Sequence, residues 1–409
     1  MPSATLVVAS ISVAIWLYLA IARGKFWHLR EFDDDTQRHE SPSAWPHVIA
    51  VVPARNEAAT IQQAVSSLVQ QNYAGEYSVV LVDDHSEDKT AEIAREAATR
   101  LNAESRITIH TAAPLPPGWT GKLWALNEGV RSDRRGAAMS RAESREPPRP
   151  SLATNERSEP TYYWFSDADI VHAPDTLQRL VARAEHDHLD LASLMVLLQS
   201  KTLPERAVIP AFLFFFLKLY PPRWIANPQA RTAGAAGGCI LLRSEALHRI
   251  GGLAAIRNEV IDDCALARVV KPSDGKIWMG LTRASVSLRA YTTFSEIRDL
   301  IARTAFSQLR YSAPLLLATL LAMFLNYVAP ILLLFAPNPT PRILAASTWL
   351  LMSLLYLPTI RFYRLSPVWS ATLPLIALFY SYATFLSAAR YYLGRGAQWK
   401  GRSQITRQI

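Results

Sequence analysis

Two aspartates, Asp167 and Asp169, follow a run with the composition of a β-strand, residues 162–166. In an extended segment, residues two positions apart project to the same side, so the two carboxylates can converge on one point. Carboxylate oxygens without His or Cys suit Mg²⁺ or Mn²⁺, and substrate phosphates often complete the coordination of these metals. The spacing therefore predicts a metal site at Asp167 and Asp169. A turn or a helix N-cap, both favoured by Asp, is the alternative.

Two further polar clusters follow earlier strand-like runs. Asn56 and Glu57 come after the apolar residues 47–52, and the Asp83–Asp84 pair comes after residues 77–82. Ligands of open parallel sheets bind at the carboxyl ends of the strands. Because three polar clusters occupy such positions, we expect them along one edge of a sheet, where they would form a single site.

The elements that must position these residues alternate between strands and helices. Helical periodicity covers residues 58–70 and 90–101, and residues 107–110 have the composition of a third short strand. This alternation predicts an α/β fold with a mostly parallel sheet flanked by helices. Residues 131–160 contain almost no large apolar side chains, so we predict a disordered insertion there, with a docking loop as the alternative.

Apolar stretches at both ends of the 409-residue chain predict a membrane protein. Residues 5–22 carry no charge and are followed by basic residues, which favours a retained anchor with its N-terminus outside rather than a signal peptide. Three later apolar stretches cover residues 313–336, 343–360 and 365–389. Three full spans would place the basic tail outside, whereas its charge favours the cytoplasm, so one stretch could be re-entrant or interfacial.

The net charge of +9 could indicate a nucleic-acid partner. Many of the basic residues flank apolar stretches, where anionic lipid headgroups attract them, so we predict no nucleic-acid binding. The two cysteines, Cys239 and Cys264, have neither metal-type spacing nor partners for a disulfide framework, which agrees with a reduced, cytoplasm-facing domain.

Five motifs occur in an order that resembles family 2 glycosyltransferases: VVPARNE at 51–57, VDDHSED at 82–88, GKLWALN at 121–127, DAD at 167–169 and DD at 262–263. The layout of the apolar stretches is similar to the ceramide glucosyltransferase branch, and within it to bacterial hopanoid-associated enzymes. This resemblance implies a GT-A fold, a nucleotide-sugar donor, a divalent metal, Mg²⁺ or Mn²⁺, and inversion at the anomeric carbon. It also implies four parts: an anchor over 1–30, a catalytic domain over 46–311, a transmembrane block over 312–389 and a tail over 390–409.

The resemblance, together with hydrogen-bonding capacity, predicts a set of donor-binding residues. The acidic residues of this set can accept hydrogen bonds from a nucleobase and a ribose, with helix capping as the alternative. Lys122 stands in a Gly-containing segment, 118–122, that we interpret as a loop near a diphosphate, with a solvated surface lysine as the alternative. The set is Pro53, Arg55, Glu57, Asp83, Asp84, Lys122, Asp167, Gln308 and Arg310. Asp169 is implied to make the more direct metal contact.

Catalysis needs another carboxylate, to take the proton of the acceptor hydroxyl. Asp263 matches the base position of the family, and Asp262 is the alternative because the chain has Asp-Asp where Glu-Asp is commoner. The glycine-rich residues 234–239 permit a close backbone approach, which the resemblance assigns to the acceptor side, with a plain turn as the alternative.

Two segments suit a membrane surface. Residues 294–311 form a predicted basic amphipathic helix ending in Gln-Leu-Arg-Tyr, which resembles the Gln-x-Arg-Trp signature of the branch except that Tyr replaces Trp. Residues 207–224 are interpreted as an interfacial surface that guides a lipid acceptor, with a buried core helix as the alternative.

Together these features predict an enzyme of the inner membrane whose catalytic domain faces the cytoplasm. It would move a sugar from a UDP-sugar donor to a lipid hydroxyl, with a hopanoid or related lipid as the acceptor. Two alternatives are a processive polysaccharide synthase and a non-catalytic scaffold or lipid carrier that retains the fold.

Overall fold

A computed structural model describes residues 4–30, 32–33, 42–143, 161–394, 398–399 and 402–403, with residues 133–143, 398–399 and 402–403 described by their backbone only. The chain divides into two compact units. The helical unit comprises residues 1–31, 198–232 and 289–398, and the sheet unit comprises residues 32–197, 233–288 and 399–409.

The strands are β1 Val48–Ala54, β2 Tyr77–Asp83, β3 Ile107–Thr111, β4 Tyr162–Ser166, β5 Ile170–His172, β6 Leu191–Leu197, β7 Cys239–Arg243, β8 Ile277–Ser287, β9 Gln398–Trp399 and β10 Arg402–Ser403. The helices are α1 Ala4–Ile21, α2 Ile61–Val69, α3 Thr90–Arg100, α4 Gly121–Glu143, α5 Thr176–His186, α6 Leu203–Leu219, α7 Pro222–Ala226, α8 Ser244–Arg249, α9 Asp262–Val270, α10 Phe294–Gln308, α11 Ala313–Met323, α12 Ala329–Leu333, α13 Pro339–Phe362 and α14 Leu373–Tyr392.

An eight-stranded mixed sheet forms the centre of the sheet unit, in the order β3-β2-β1-β4-β7-β6-β8-β5. The strands β3, β2, β1 and β4 are parallel, and so are β6 and β8, whereas β7 runs antiparallel to both of its neighbours. All seven residues of β1 are buried, which explains their continuous apolar sequence. The predicted α/β fold is confirmed, and parallel β1, β2 and β4 end at one edge, as the polar clusters required.

Helix α4 packs closely on β1. A side chain at Gly129 would overlap Val51, so only glycine permits this approach. The helix begins at Gly121, which places Lys122 in its first turn and not in the loop expected from the sequence. It also continues to Glu143, so residues 131–143 are helical where disorder was predicted, and the rest of that predicted segment, 144–160, lies outside the described residues.

Four helical stretches are long and apolar enough to cross a membrane: Ala4–Ile21, Ala313–Leu333, Pro339–Phe362 and Pro367–Tyr392. They agree with the apolar stretches identified in the sequence. A π-helical turn, Phe324–Val328, joins α11 to α12, and a 3₁₀ turn, Pro367–Thr372, precedes α14.

Helix α6 belongs to the core of the helical unit, which favours the buried-helix alternative for residues 207–224. Phe214 is fully buried, and its ring lies 5.3 Å from that of Phe26 and 5.1 Å from that of Tyr356. The predicted amphipathic helix is present as α10, which begins with a capping box at Thr293 and Glu296 and ends at Gln308.

Candidate active site

A small cleft opens at the edge of the sheet where β1 and β4 end. Its polar residues come from three elements: α4, the end of β4, and the start of α9. The residues that line it are Pro53, Lys122, Leu123, Leu126, Phe165, Ser166, Asp167, Gly237, Ile240, Leu253, Ile256, Asp262, Asp263 and Leu266. The structure therefore brings together five residues predicted for the site: Pro53, Lys122, Asp167, Asp262 and Asp263.

Lys122 is the cation at the centre of this group. Its ammonium lies 2.8 Å from the carboxylate of Asp167 and 3.1 Å from that of Asp262. Burial alone would lower the pKa of Lys122, but attraction from Asp167 and then Asp262 outweighs it and raises the pKa above its ordinary range. An ammonium has three donors, so two carboxylates leave one N–H for a further acceptor. The solvated-surface alternative does not describe this lysine.

Asp263 is held differently from Asp262, although the two are neighbours at the start of α9. Its Oδ2 accepts from the Gly237 N–H at 2.8 Å, and its Oδ1 accepts from its neighbour Cys264 N–H at 2.6 Å. Burial raises the pKa of Asp263 to about 6, and repulsion from Asp262 adds to the rise. Lys122 and the two N–H donors lower this pKa but do not cancel the rise. A carboxylate with this pKa is ionised at neutral pH and can still accept a proton.

Asp169 is fixed by the last residues of the β8 edge. The Ser287 hydroxyl donates to Asp169 Oδ2 at 3.1 Å, and the Leu288 N–H donates to the Asp169 carbonyl at 2.7 Å. Asp169 is not among the residues that line the cleft, and Asp167 is. The two members of the predicted metal pair therefore have different surroundings.

The buried imidazole of His172 contacts Ser166, the last residue of β4. His172 Nε2 lies 2.9 Å from the Ser166 hydroxyl, and Nδ1 lies 2.8 Å from the Ser285 hydroxyl. Because Ser166 itself donates to the Asp167 carbonyl at 3.2 Å, we assign the ring proton to Nε2. Burial lowers the pKa of His172 to about 3, so the ring is neutral. Its two hydrogen bonds connect β4 with β8.

The residues after β1 and β2 form two interlocked loops. Arg55 donates to the carbonyl oxygens of Asp84 and His85, and its guanidinium lies 3.8 Å from the Asp84 carboxylate. Asp84 is fully buried, so in this conformation it braces the loops. Asp83 accepts from the Ser86 N–H at 3.3 Å, and Glu57 Oε2 accepts from the Thr60 hydroxyl at 3.3 Å. None of these four acidic or basic residues lines the cleft, and their donor-binding role stays a prediction.

The remaining predicted donor contacts lie in the helical unit. Gln308, the last residue of α10, donates to the Tyr220 hydroxyl at 2.7 Å. Arg310 and Tyr311 follow with φ values of 52° and 55°, a left-handed turn that ends the helix, and the Tyr311 ring stacks on Tyr391 at 4.6 Å. A contact of Gln308 or Arg310 with the donor stays a prediction.

Comparison with known proteins identifies the fold and the family. The model of the family described as "Glycosyltransferase like family 2" matches residues 46–306, which is more than half of the chain. The chain belongs to glycosyltransferase family 2. No curated protein sequence matches it significantly.

Solved structures agree with this assignment of the fold, which is GT-A. This glycosyltransferase is similar to the mannosyltransferase PcManGT from Pyrobaculum calidifontis, solved with GDP-Man and Mn²⁺, with a TM-score of 0.55, 18% identity and coverage of 95% of this chain and 99% of that one. It also matches residues 1–349 of TarS from S. aureus with a TM-score of 0.38, 15% identity and coverage of 85% and 92%. At 18% identity, the likeness to PcManGT describes the fold alone.

The donor set of the glycosyltransferase fits a hard divalent cation only in part. Among the described residues no group of three His, Cys, Asp or Glu side chains converges as a metal site. Asp167 and Asp169 supply carboxylate oxygens, which Mg²⁺ and Mn²⁺ prefer, and Mg²⁺ is commonly held by one or two carboxylates plus substrate phosphates. Asp167 is paired with Lys122 and Asp169 does not line the cleft, so a cation held by this pair stays a prediction.

Three features of this glycosyltransferase site were missed from the sequence. Gly237 donates to Asp263, although its glycine-rich segment was interpreted as an approach to a ligand. Ser285 and Ser287 lie two apart at the end of β8 and support the 166–169 segment. Their alternation was the only available signal. His172 gave none, because a single histidine in a strand does not reveal its partners.

Proposed function

We propose that this protein is a membrane-associated, inverting glycosyltransferase that moves a sugar from a nucleotide donor to a lipid hydroxyl. The observation that carries the proposal is the pairing of two differently charged groups in one cleft. Asp263, with a pKa of about 6, is available to accept a proton, and Lys122 is a permanent cation beside Asp167. A base and a cation in one cleft are what a displacement with an anionic leaving group requires.

In the proposed reaction Asp263 takes the proton of the acceptor hydroxyl as its oxygen attacks the anomeric carbon. The bond from that carbon to the donor diphosphate breaks, and the diphosphate leaves with the electron pair. A single displacement of this kind inverts the anomeric centre. Lys122 has one N–H donor beyond those that face Asp167 and Asp262, and we assign it to a diphosphate oxygen.

We further propose that Asp167 and Asp169 hold Mg²⁺ or Mn²⁺ together with the donor. The metal would neutralise charge on the departing diphosphate. Ser287 would keep the Asp169 carboxylate oriented, since its hydroxyl lies 3.1 Å from Oδ2. The Mn²⁺ and GDP-Man bound by the archaeal mannosyltransferase of the same fold support a metal and a nucleotide-sugar. UDP-sugar remains our proposed donor, and that neighbour makes GDP-mannose a necessary second donor to test.

The acceptor is proposed to be a lipid, and a hopanoid or related polycyclic lipid in particular. Eight apolar side chains line the cleft beside the polar group, and Leu253, Ile256 and Leu266 among them come from the elements around Asp263. Such a wall suits an apolar acceptor better than a polysaccharide. The four apolar helices support delivery of this acceptor from a bilayer.

A transfer assay tests the proposal. The purified full chain is incubated with radiolabelled UDP-sugars or GDP-mannose and a total lipid extract, with Mn²⁺ or with EDTA. We expect a labelled lipid that requires the metal. A labelled polymer would indicate the polysaccharide synthase, and neither transfer nor hydrolysis of any donor would indicate the scaffold.

Matched variants test the residue roles in the same assay. Asp263→Asn removes the base and keeps the shape, so kcat should fall by about 10² to 10⁴ while donor binding is retained. Asp262→Asn removes one of the two carboxylates that face Lys122, and it should lower kcat less than Asp263→Asn does. If both variants lose kcat equally, or if Asp263→Asn loses donor binding, the catalytic base is a residue other than Asp263.

A further inference from the structure

Four basic side chains gather where α1, α6 and α7 meet in the helical unit. Arg23 and Lys25 follow the end of α1, Lys218 stands in the last turn of α6, and Arg223 lies in α7. We call these four residues the basic cluster. In residues 4–30, 198–232 and 289–394, no carboxylate forms an ion pair with any of them, whereas Arg298 and Arg390 of the same unit pair with Asp299. Within the described part of this unit, the cluster therefore carries positive charge that no acidic side chain pairs.

Packing holds the cluster in place. Arg23 donates to the carbonyl oxygens of Lys218 and Leu219 at 3.0 and 3.3 Å, and its guanidinium lies 4.7 Å from the centre of the Trp224 ring. The turn at Gly24, with φ of 61°, lies so close to α7 that a Cβ there would come within 2.8 Å of Pro221. The positions of Arg23 and of the segment that carries Lys218 are thus set by the fold.

Lys218 is the most unusual member of the cluster. Its ammonium donates to the Tyr327 hydroxyl at 2.8 Å and lies 5.0 Å from the centres of the Phe215 and Tyr327 rings. Burial, with a contribution from Arg23, lowers the pKa of Lys218 to about 8, so it is still mostly protonated at pH 7. A partly buried cation supported by a phenol and two rings, with N–H donors to spare, is a site for an anion.

The position of the cluster specifies which anion. It directly follows α1, a candidate membrane span, so in a bilayer it would lie at the depth of the lipid headgroups. Ile21 and Leu219, beside it, are exposed by 72% and 46%, which offers an apolar surface for acyl chains. Trp27 and Trp224 add the rings that favour the membrane interface.

We infer that the basic cluster binds the headgroup phosphate of an anionic phospholipid. This site is distinct from the proposed acceptor site, because the cluster and the residues that line the cleft have no member in common. A failure of the lipid site would leave the transfer reaction untouched, and a failure of the transfer reaction would leave lipid binding measurable.

Native mass spectrometry of the full chain in detergent tests this inference. The protein is titrated with phosphatidylglycerol or with phosphatidylcholine of the same acyl chains, and the bound fraction gives the affinity. We expect tighter binding of phosphatidylglycerol. Lys25→Gln/Arg223→Gln removes two cations that make no hydrogen bond within the described residues, so it should fold normally. It should weaken phosphatidylglycerol binding by roughly 25-fold, about fivefold for each charge removed.

The controls separate the cluster from general charge effects. Arg342→Gln removes an exposed cation at the start of α13 and should leave the affinity unchanged. Lys218→Met should reduce the preference for phosphatidylglycerol further. The inference is overturned if the wild type binds both lipids equally, if the double variant binds phosphatidylglycerol as tightly as the wild type, or if millimolar inorganic phosphate displaces the lipid.

Discussion

Three carboxylates and one ammonium compete within a single cleft, and their unequal pairing gives each a different chemistry. Lys122 is shared between Asp167 and Asp262, so one positive charge faces two carboxylates. Asp263 receives only backbone N–H groups, at 2.8 and 2.6 Å, and it feels the negative charge of Asp262. Two adjacent aspartates thus have different partners: Asp262 pairs with the lysine, and Asp263 accepts from two backbone N–H groups.

The pKa of Asp263 sets the expected pH dependence of transfer. Because burial and Asp262 raise this pKa to about 6, the ionised, proton-accepting form is present above pH 6 and is lost below it. We expect kcat/KM for the acceptor to fall about tenfold per pH unit below that value. Initial rates across the pH range, with enzyme stability checked at each pH, measure this.

The variant Asp262→Asn sharpens this prediction. It removes the repulsion that raises the pKa of Asp263, so the acid limb of the profile should move to lower pH. If the acid limb of Asp262→Asn lies at the same pH as that of the wild type, a group other than Asp263 controls the rate.

At the scale of elements, the site depends on close approaches between a loop and a helix. The 234–239 loop brings the Gly237 N–H to Asp263 at the start of α9, and the end of β8 brings Ser287 to Asp169. Neither contact involves a ligand directly. Both orient carboxylates that would otherwise rotate, and side-chain orientation is worth much of the rate of a displacement reaction.

Gly237→Ala tests the importance of this orientation. A Cβ at this position would lie 3.1 Å from Asp263 Oδ2, so the carboxylate must shift by a few tenths of an ångström. We expect kcat to fall roughly 10- to 100-fold, with little change in the KM for the donor. Steady-state kinetics and a thermal melt provide the measurement. A wild-type kcat would mean that Asp263 is not held by this contact, and a large loss of melting temperature would indicate damage to the fold instead.

At the scale of the whole molecule, both units are assembled from separate stretches of the chain. The helical unit draws on three segments, one from each end and one from the middle, residues 198–232. If all four candidate helices cross a bilayer, both chain ends lie on the same side. In that case the N-terminus cannot lie outside while the basic tail lies in the cytoplasm. Both of these predictions can hold only if an odd number of helices cross the bilayer.

Membrane extraction measures the association itself. Four apolar helices of spanning length should keep the protein in the membrane fraction through washes with high salt and alkaline carbonate, and detergent should release it. Release by carbonate alone would indicate a peripheral protein and would contradict the candidate spans. An epitope tag at each end, tested for protease access in sealed vesicles, then counts the crossings.

The sequence by itself determined the first four strands, the order of the motifs and the apolar helices, because these depend on local periodicity and on composition. The predicted strand 162–166 is β4 residue for residue, and residues 77–82 lie within β2. Only the tertiary structure decided the partners of Lys122, because Asp167 and Asp262 are distant in the chain and their carboxylates both meet the Lys122 ammonium at the start of α4. The same holds for Asp263, whose proton affinity follows from burial and from the N–H of Gly237. Spacing along a chain cannot specify either quantity, since both arise where separate elements touch.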